Sequence, residues 1–152
     1  MNAIVVGVDH SPGARAALLF ANEEARLRGA TLHAVHAWIW GYVGYTGLEL
    51  GDVPVLGGEV HDVQAAAEAA LVAIVRQVLP ETDVPIEMRA VMGTPAAVLV
   101  DESKNADLLV VGSRGHGGFA QLLLGSVSQQ CAHHAACPVV IVHAPKDDSF
   151  GN

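Results

Sequence analysis

The sequence predicts an α/β protein, in which an open parallel sheet of five strands carries helices on both faces. Two observations favour this class. Short apolar runs rich in valine and isoleucine alternate with longer segments of helical periodicity, as in βαβ units. The strand-like runs are apolar almost throughout, as expected for parallel strands buried on both faces. The 152 residues, 51% of them apolar, suit a single domain over residues 1–152.

The first strand is predicted from Ala3 to Val8, and the first helix follows it. Ser11 is a typical N-cap residue, and Pro12 suits the first helical position because its fixed φ is already helical. Gly29 is placed to end this helix, since glycine readily takes the left-handed conformation of a C-cap. Asp9, between strand and helix, lies where the carboxyl end of a central strand is expected.

The second strand is predicted from Thr31 to Trp38. His33 and His36 are three apart on it and therefore point to opposite faces, so they cannot chelate one metal together. We interpret both as core histidines with satisfied hydrogen bonds. Residues 39–59 are rich in glycine and follow neither a strand nor a helix period. A segment of this length in a small domain is usually functional or disordered.

The middle of the chain predicts a helix, an edge strand and a short helix. An apolar stripe at helical spacing runs from about His61 to Val78. The third strand, Val84 to Val91, includes charged residues and is therefore expected at an edge of the sheet. Thr94 as N-cap and Pro95 at the first position start the next helix, which is expected to end near Asn105.

The last βαβ unit carries the clearest functional pattern. A strand from Leu108 to Val111 ends in Gly112, and Gly115 follows within the loop. Gly125-Ser126 then opens a helix, and a final strand runs from Val139 to Val142. Ligands of open α/β sheets bind at the carboxyl ends of the strands, where this glycine loop is expected.

The loop chemistry points to phosphate. Glycine backbones approach a ligand closely, and the N–H groups at a helix start favour an anion. Ser126 and Ser128 could donate hydroxyl hydrogen bonds to phosphate oxygens, as could His116 through its ring. Arg114 is the nearby fixed cation. The loop is neither a Walker loop, since no Gly-Lys-Ser/Thr occurs, nor the dinucleotide fingerprint, since its glycines flank a long insert.

The pattern Gly112-x2-Gly115-x9-Gly125-Ser126 resembles the ATP-binding signature of the universal stress protein family. The likeness extends from the strand ending in Asp9 to the strand 139–142. The resemblance implies the strand order 3-2-1-4-5, ATP as the ligand, Asp9 in contact with nucleotide and Mg²⁺, and a main-chain contact from Ala37 to adenine. The complete expected contact set is Val8, Asp9, Ala37, Gly112, Arg114, Gly115, His116, Gly125, Ser126, Val127 and Ser128.

Charge and composition exclude several classes of partner. The net charge of −8 and the two lysines argue against nucleic acid and anionic membranes. No apolar run reaches the ~20 residues of a membrane span. The chain enters a strand at once, without a signal-peptide pattern, so we expect a cytoplasmic protein. Cys131 and Cys137 are interpreted as buried small apolar residues rather than as a redox pair. The remaining histidines lack metal-ligand spacing.

Three functions stay open at this point. We favour an ATP-binding stress or regulatory protein with slow or no turnover. An enzyme that hydrolyses or transfers phosphate is the second, and a nucleotide-free dimer that binds partners is the third. As in related proteins, a homodimer is expected through the uncharged edge strand 139–142. The aromatic residues of 39–59 could cover the nucleotide or pack against a protein partner.

Overall fold

The structure, a computed structural model, describes residues 2–39, 60–114 and 124–145. Strands and helices alternate along these residues. The elements are β1 Ala3–Gly7, α1 Pro12–Arg28, β2 Thr31–Trp38, α2 Val60–Val78, β3 Ile86–Met92, α3 Pro95–Ser103, β4 Leu108–Gly112, α4 Ser126–His134 and β5 Val139–Val142.

The strands form one parallel sheet in the order β3-β2-β1-β4-β5. Both the predicted fold and the predicted order are confirmed, with β3 at an edge. The chain winds outward from β1 through β2 to β3, then returns to pair β4 with the other side of β1, where Ile4 lies opposite Leu108. Connections leave β1 and β4 in opposite directions, so a crevice is expected between their carboxyl ends.

Two apolar layers hold helices against the sheet. On one face, α1 and α2 pack over alternate strand residues, with Ile4, Leu18 and Leu32 fully buried. On the other face, α3 and α4 cover the opposite residues, including Val5 and Leu109. None of the helices in the described ranges is long and apolar enough to span a bilayer.

The predicted ends of α1 are confirmed. The Ser11 hydroxyl accepts a hydrogen bond from the Ala14 amide at 3.1 Å, and Gly29 ends the helix at φ 63°. The start of α3 is confirmed in position only, because Thr94 occupies the N-cap without a side-chain hydrogen bond. Two boundaries were wrong by two residues. The Val84 amide bonds to the Thr82 hydroxyl in a turn, so β3 begins later, and α3 ends at Ser103.

The two histidines of β2 lie on opposite faces, as predicted. His33 is half-buried, and its Nε2 atom lies 3.1 Å from a Glu87 carboxylate oxygen across the strand pair. His36 is buried, but its ring is only half satisfied. Its Nδ1 bonds to the Val8 carbonyl, whereas its Nε2 has no hydrogen-bond partner among the described residues. The interpretation of two fully satisfied core histidines was therefore wrong for His36.

The cysteines differ in burial. Cys131 is fully buried in the layer beneath α3 and α4, as predicted, and burial raises the pKa of its thiol to about 11. Cys137 is only half-buried, which corrects the expectation for that residue. Burial, and secondarily the Asp107 carboxylate, raise the pKa of the Cys137 thiol as well. Raised pKa values leave little reactive thiolate at neutral pH.

Candidate functional site

The carboxyl end of β1 presents an aspartate held by its own turn. Asp9 is half-buried, and its Oδ1 atom accepts a hydrogen bond from the Ser11 amide at 2.8 Å. Ser11 in turn caps α1, so the strand end, the aspartate and the helix start form one rigid corner. The turn therefore fixes the orientation of the Asp9 carboxylate at the carboxyl end of β1.

The carboxyl end of β4 packs directly on the first turn of α1. A Cβ atom on Gly112 would lie 2.8 Å from the Gly13 carbonyl carbon and 3.0 Å from its oxygen. A Cβ atom on Gly13 would lie 3.0 Å from the Arg114 carbonyl oxygen. Gly112 was expected to allow close approach of a ligand. In the structure, the backbone that approaches it is that of α1, which joins the corner at Asp9 to the glycine loop.

Ser113 connects the end of β4 to both of its neighbours. Its amide donates to the Val142 carbonyl of β5 at 2.9 Å. Its carbonyl accepts from the Gly125 amide at 2.6 Å and from the Ser128 hydroxyl at 2.8 Å. The chain therefore leaves β4 and enters α4 at nearly the same point. Gly115 and His116 lie outside the described residues.

The start of α4 presents backbone amides, but the Ser128 hydroxyl, one of the two hydroxyls predicted to bind phosphate, already bonds within the protein. Ser128 is 1% exposed, and its hydroxyl lies within hydrogen-bond distance of the Ser113 and Gly125 carbonyls. A hydroxyl has one hydrogen to donate, and in this structure a backbone carbonyl receives that of Ser128, so its donation to phosphate stays a prediction. Ser126 is exposed, and Val127 is half-buried.

The backbone at the start of α4 has no side-chain cap. Gly125 is the N-cap residue. The first intrahelical bond that follows runs from the Gln129 amide to the Gly125 carbonyl. The amides of Ser126, Val127 and Ser128 therefore precede the helical ladder and point out of the helix start, where the dipole favours negative charge.

The predicted base-contact residue lies on the same edge of the sheet. Peptide groups of a strand alternate between its two neighbours. The Val35 carbonyl accepts from the Val8 amide of the β1 side, and the Trp38 carbonyl accepts from Gly93 on the β3 side. By this alternation, the peptide groups of Ala37 face the β1 side, beyond the point where β1 ends.

The charges around the crevice are sparse. Arg114 is exposed at the end of β4. Within the described ranges, no three carboxylate, histidine or cysteine side chains come together as a metal site. Asp9 could therefore hold a metal only together with another ligand. Mg²⁺ is commonly held in this way, by one or two carboxylates, waters and phosphate oxygens.

Two residues of this site were missed from the sequence. Gly13 stands in the first turn of a helix, where glycine costs about 1 kcal/mol relative to alanine, and that cost was a usable signal of close packing. Ser113 is a buried polar residue directly after an apolar strand. Its three hydrogen bonds depend on tertiary neighbours, so no local pattern revealed them.

Fold and site together define a doubly wound α/β domain with its candidate site at the switch point between β1 and β4. The sequence model of the universal stress protein family matches residues 1–143, and the chain belongs to this family. It is 39% identical over 141 residues to a universal stress protein of Mycobacterium tuberculosis, and 37% identical over 142 residues to one of Mycolicibacterium smegmatis.

Each alignment with these relatives covers 91% of this chain but only 44% and 45% of the relative, respectively. The chain thus spans less than half the length of these curated relatives. Among solved structures, it is similar to a universal stress protein in complex with cAMP. The identity is 27%, the TM-score is 0.61, and the match covers 95% of this chain and 98% of the other.

Proposed function

We propose that this protein binds ATP in the crevice between β1 and β4 and acts as a nucleotide-dependent stress or regulatory module. The observation that carries the proposal is the convergence of three features on one edge of the sheet. These are the fixed carboxylate of Asp9, the uncapped start of α4 at Gly125, and the outward peptide edge of Ala37. They suit metal, phosphate and base respectively.

The family supports an adenine nucleotide as the ligand class. The solved universal stress protein in complex with cAMP shares 27% of its residues with this chain over nearly the full length of both. ATP rather than a monophosphate is favoured by the complete glycine pattern of the loop. Since the curated relatives are more than twice as long as the matched region, the proposal concerns this domain and not their whole activity.

In the proposed complex, backbone groups hold most of the phosphate charge. The amides of Ser126, Val127 and Ser128 and the exposed Ser126 hydroxyl would bind phosphate oxygens, and Arg114 would add one positive charge. Gly112, Gly115, His116 and Gly125 would shape the loop around them. Asp9 would help to hold Mg²⁺, which would neutralise phosphate charge, and Val8 and Ala37 would line the nucleoside end.

Slow or absent turnover follows from the kind of contacts available. Amides, a hydroxyl and one guanidinium bind ground state and transition state alike, which tightens binding without raising turnover. A fast phosphoryl-transfer enzyme needs a positioned base and cations at the transferring group. Lys104, the one lysine within the described ranges, lies at the end of α3 that faces away from the carboxyl edge.

The test places a negative charge at the proposed phosphate site without harming the helix. Ser126→Asp puts a carboxylate in the first turn of α4, where the dipole stabilises it by about 0.3–1 kcal/mol. Thr94→Asp is the matched control, because it adds the same charge at the start of α3 on the same edge of the sheet. Calorimetry should show ATP affinity reduced at least tenfold in Ser126→Asp and little changed in Thr94→Asp.

Adenosine separates the phosphate site from the rest of the crevice. Its affinity should be the same in wild type and Ser126→Asp, because it carries no phosphate to repel. Equal ATP affinity in both charge variants would contradict the assignment of phosphate to α4. A wild-type protein that binds no adenine nucleotide would contradict the proposed function as a whole.

We also infer a homodimer through β5. This strand ends the sheet, and its four residues are uncharged and half-buried. Since Leu109 donates to the Pro138 carbonyl and Ser113 to that of Val142, the peptide groups of Val139 and Ile141 face away from β4. Ile141→Pro removes an outward N–H while leaving the β4 ladder intact. Light scattering should show a wild-type dimer and a monomeric variant, and a monomeric wild type would contradict this inference.

A further inference from the structure

His36 is the buried polar side chain that the fold itself does not explain. Its relative exposure is 1%, and its Nδ1 atom lies 2.9 Å from the Val8 carbonyl oxygen. Because a carbonyl can only accept, Nδ1 carries the proton and the ring is the Nδ1–H tautomer when neutral. Nε2 is then an acceptor, and it has no partner among the described residues. Leaving such a group unsatisfied costs about 1–3 kcal/mol.

The bond from His36 lies where the ladder between β1 and β2 stops. The last ladder bond joins the Val8 amide to the Val35 carbonyl. In a parallel ladder, the next bond would run from the Ala37 amide to the Val8 carbonyl. The His36 ring binds that carbonyl instead. The described ladder between β1 and β2 thus stops at the carbonyl that the imidazole of His36 binds.

The consequence falls on Ala37. By the alternation seen at Val35 and Trp38, the peptide groups of Ala37 face β1. The ladder partner in that direction is the Val8 carbonyl, which is bound by the His36 ring. Meanwhile the chain after Val8 turns away at Asp9, held by the bond from the Ser11 amide. A peptide edge with donor and acceptor side by side therefore borders the crevice. Such an edge matches the paired donor and acceptor along the edge of a purine base.

We infer that His36 is a positioning residue that ends the β1–β2 ladder and keeps the peptide edge of Ala37 available to a nucleotide base. The inference rests on the proposed function and deepens it, since it assigns base recognition to a side chain that does not touch the base. A ring that donates from Nδ1 is required, whereas charge on the ring is not. Burial lowers the pKa of His36, which keeps the ring neutral near pH 7.

The experiment compares two substitutions of His36 with one of its neighbour on the opposite face. His36→Phe keeps a ring but removes the donor, and His36→Asn places an amide N–H close to the position of Nδ1. His33→Phe is the control, because His33 lies on the same strand and is half-buried on the opposite face of the sheet. Binding of ATP and of inorganic tripolyphosphate is measured for each by calorimetry.

His36→Phe should lose at least tenfold in ATP affinity and stay within about twofold for tripolyphosphate, because the phosphate site at α4 is untouched. His36→Asn should recover most of the ATP affinity, and His33→Phe should bind like wild type. Equal losses for ATP and tripolyphosphate in His36→Phe, or no loss at all, would overturn the inference. If wild type bound tripolyphosphate but not ATP, the proposed function would fail instead, and this inference with it.

A second measurement needs no ligand. In His36→Phe the Val8 carbonyl loses the bond from the ring, so we expect the Ala37 amide to approach this carbonyl and extend the ladder by one bond. Amide hydrogen exchange followed by NMR should then be slower at Ala37 in His36→Phe than in wild type. Unchanged exchange at Ala37 in the folded variant would overturn the inference whatever the protein binds. His36→Asn supplies the same comparison, with wild-type exchange expected, if His36→Phe does not fold.

Discussion

The contact between Gly112 and Gly13 yields the most specific prediction of the structure. Gly112→Ala introduces a Cβ atom at 2.8, 3.0 and 3.1 Å from three backbone atoms of Gly13. The distance of 2.8 Å is too short for a Cβ contact and the other two are tight, and a backbone cannot rotate away as a side chain can. Gly112 is not among the glycines of positive φ, so alanine meets no conformational penalty of its own. The substitution therefore isolates the packing of α1 against β4.

The expected loss follows from two opposing effects. Overpacking of this kind costs about 1–3 kcal/mol. Replacing glycine by alanine returns about 0.4–1 kcal/mol by restricting the unfolded chain. We expect a net loss of about 1–2 kcal/mol in the free energy of unfolding, or a Tm lowered by roughly 2–8 °C for a chain of this length. ATP affinity should fall as well, because the displaced turn of α1 carries the corner that orients Asp9.

Gly7→Ala is the matched control. It lies at the end of β1, the neighbouring strand, and its Cβ atom would meet Leu99 Cδ1 at 2.7 Å. That contact is with the end of a flexible side chain, which can adjust its χ angles at a cost of about 0.5–1.5 kcal/mol. Urea unfolding of the two variants should give a clearly larger loss for Gly112→Ala. Wild-type stability and ATP affinity in Gly112→Ala would refute the argued role of this contact.

The remaining predictions concern charge, pH and thiols. Asp9→Asn keeps the acceptor of its turn but loses its charge, so MgATP affinity should fall while adenosine affinity and Tm stay unchanged. Asp9→Ala should lower Tm as well. Equal losses of affinity for MgATP and adenosine would assign Asp9 to the nucleoside. The folded pKa of His36 lies below its usual 6.5, because burial outweighs the opposing effects of the hydrogen bond to Val8 and of the Asp9 charge. The contribution of His36 to the free energy of unfolding is therefore present above about pH 6.5 and is lost as the pH falls through the pKa of the folded state. Chemical denaturation from pH 7 to 5 should show a steeper loss in wild type than in His36→Phe, with His10 adding to the unfavourable charge. Iodoacetamide at pH 8 should modify Cys137 before Cys131, and prior labelling of Cys131 would contradict its burial.

The sequence predicted those parts of the fold that depend on local chemistry. The first helix shows this well, because Ser11, Pro12 and Gly29 each act within one turn of their own position. Strand order came from the family resemblance and was confirmed by the pairing of β1 with β4. The phosphate loop itself stays a prediction at Gly115 and His116, which lie outside the described residues.

Several departures from the sequence prediction involve partners distant in the chain. Gly112 packs against Gly13, which lies 99 positions earlier in the sequence. The sequence alone could therefore not show that α1 leaves no room for a side chain at Gly112. The Ser128 hydroxyl was expected at a ligand but bonds to Ser113, fifteen residues away. His36 has the pattern of a core histidine, and only the bond to Val8 shows that it interrupts a ladder.

A crystal structure of this protein grown with MgATP would test the central claim most directly. We expect intact ATP between β1 and β4, with phosphates on the amides of Ser126 to Ser128, Mg²⁺ near Asp9, and adenine on the peptide edge of Ala37. Intact triphosphate after the days of crystal growth would also support slow turnover. Nucleotide bound elsewhere, or a crevice that remains without nucleotide at saturating MgATP, would contradict the proposed ATP site.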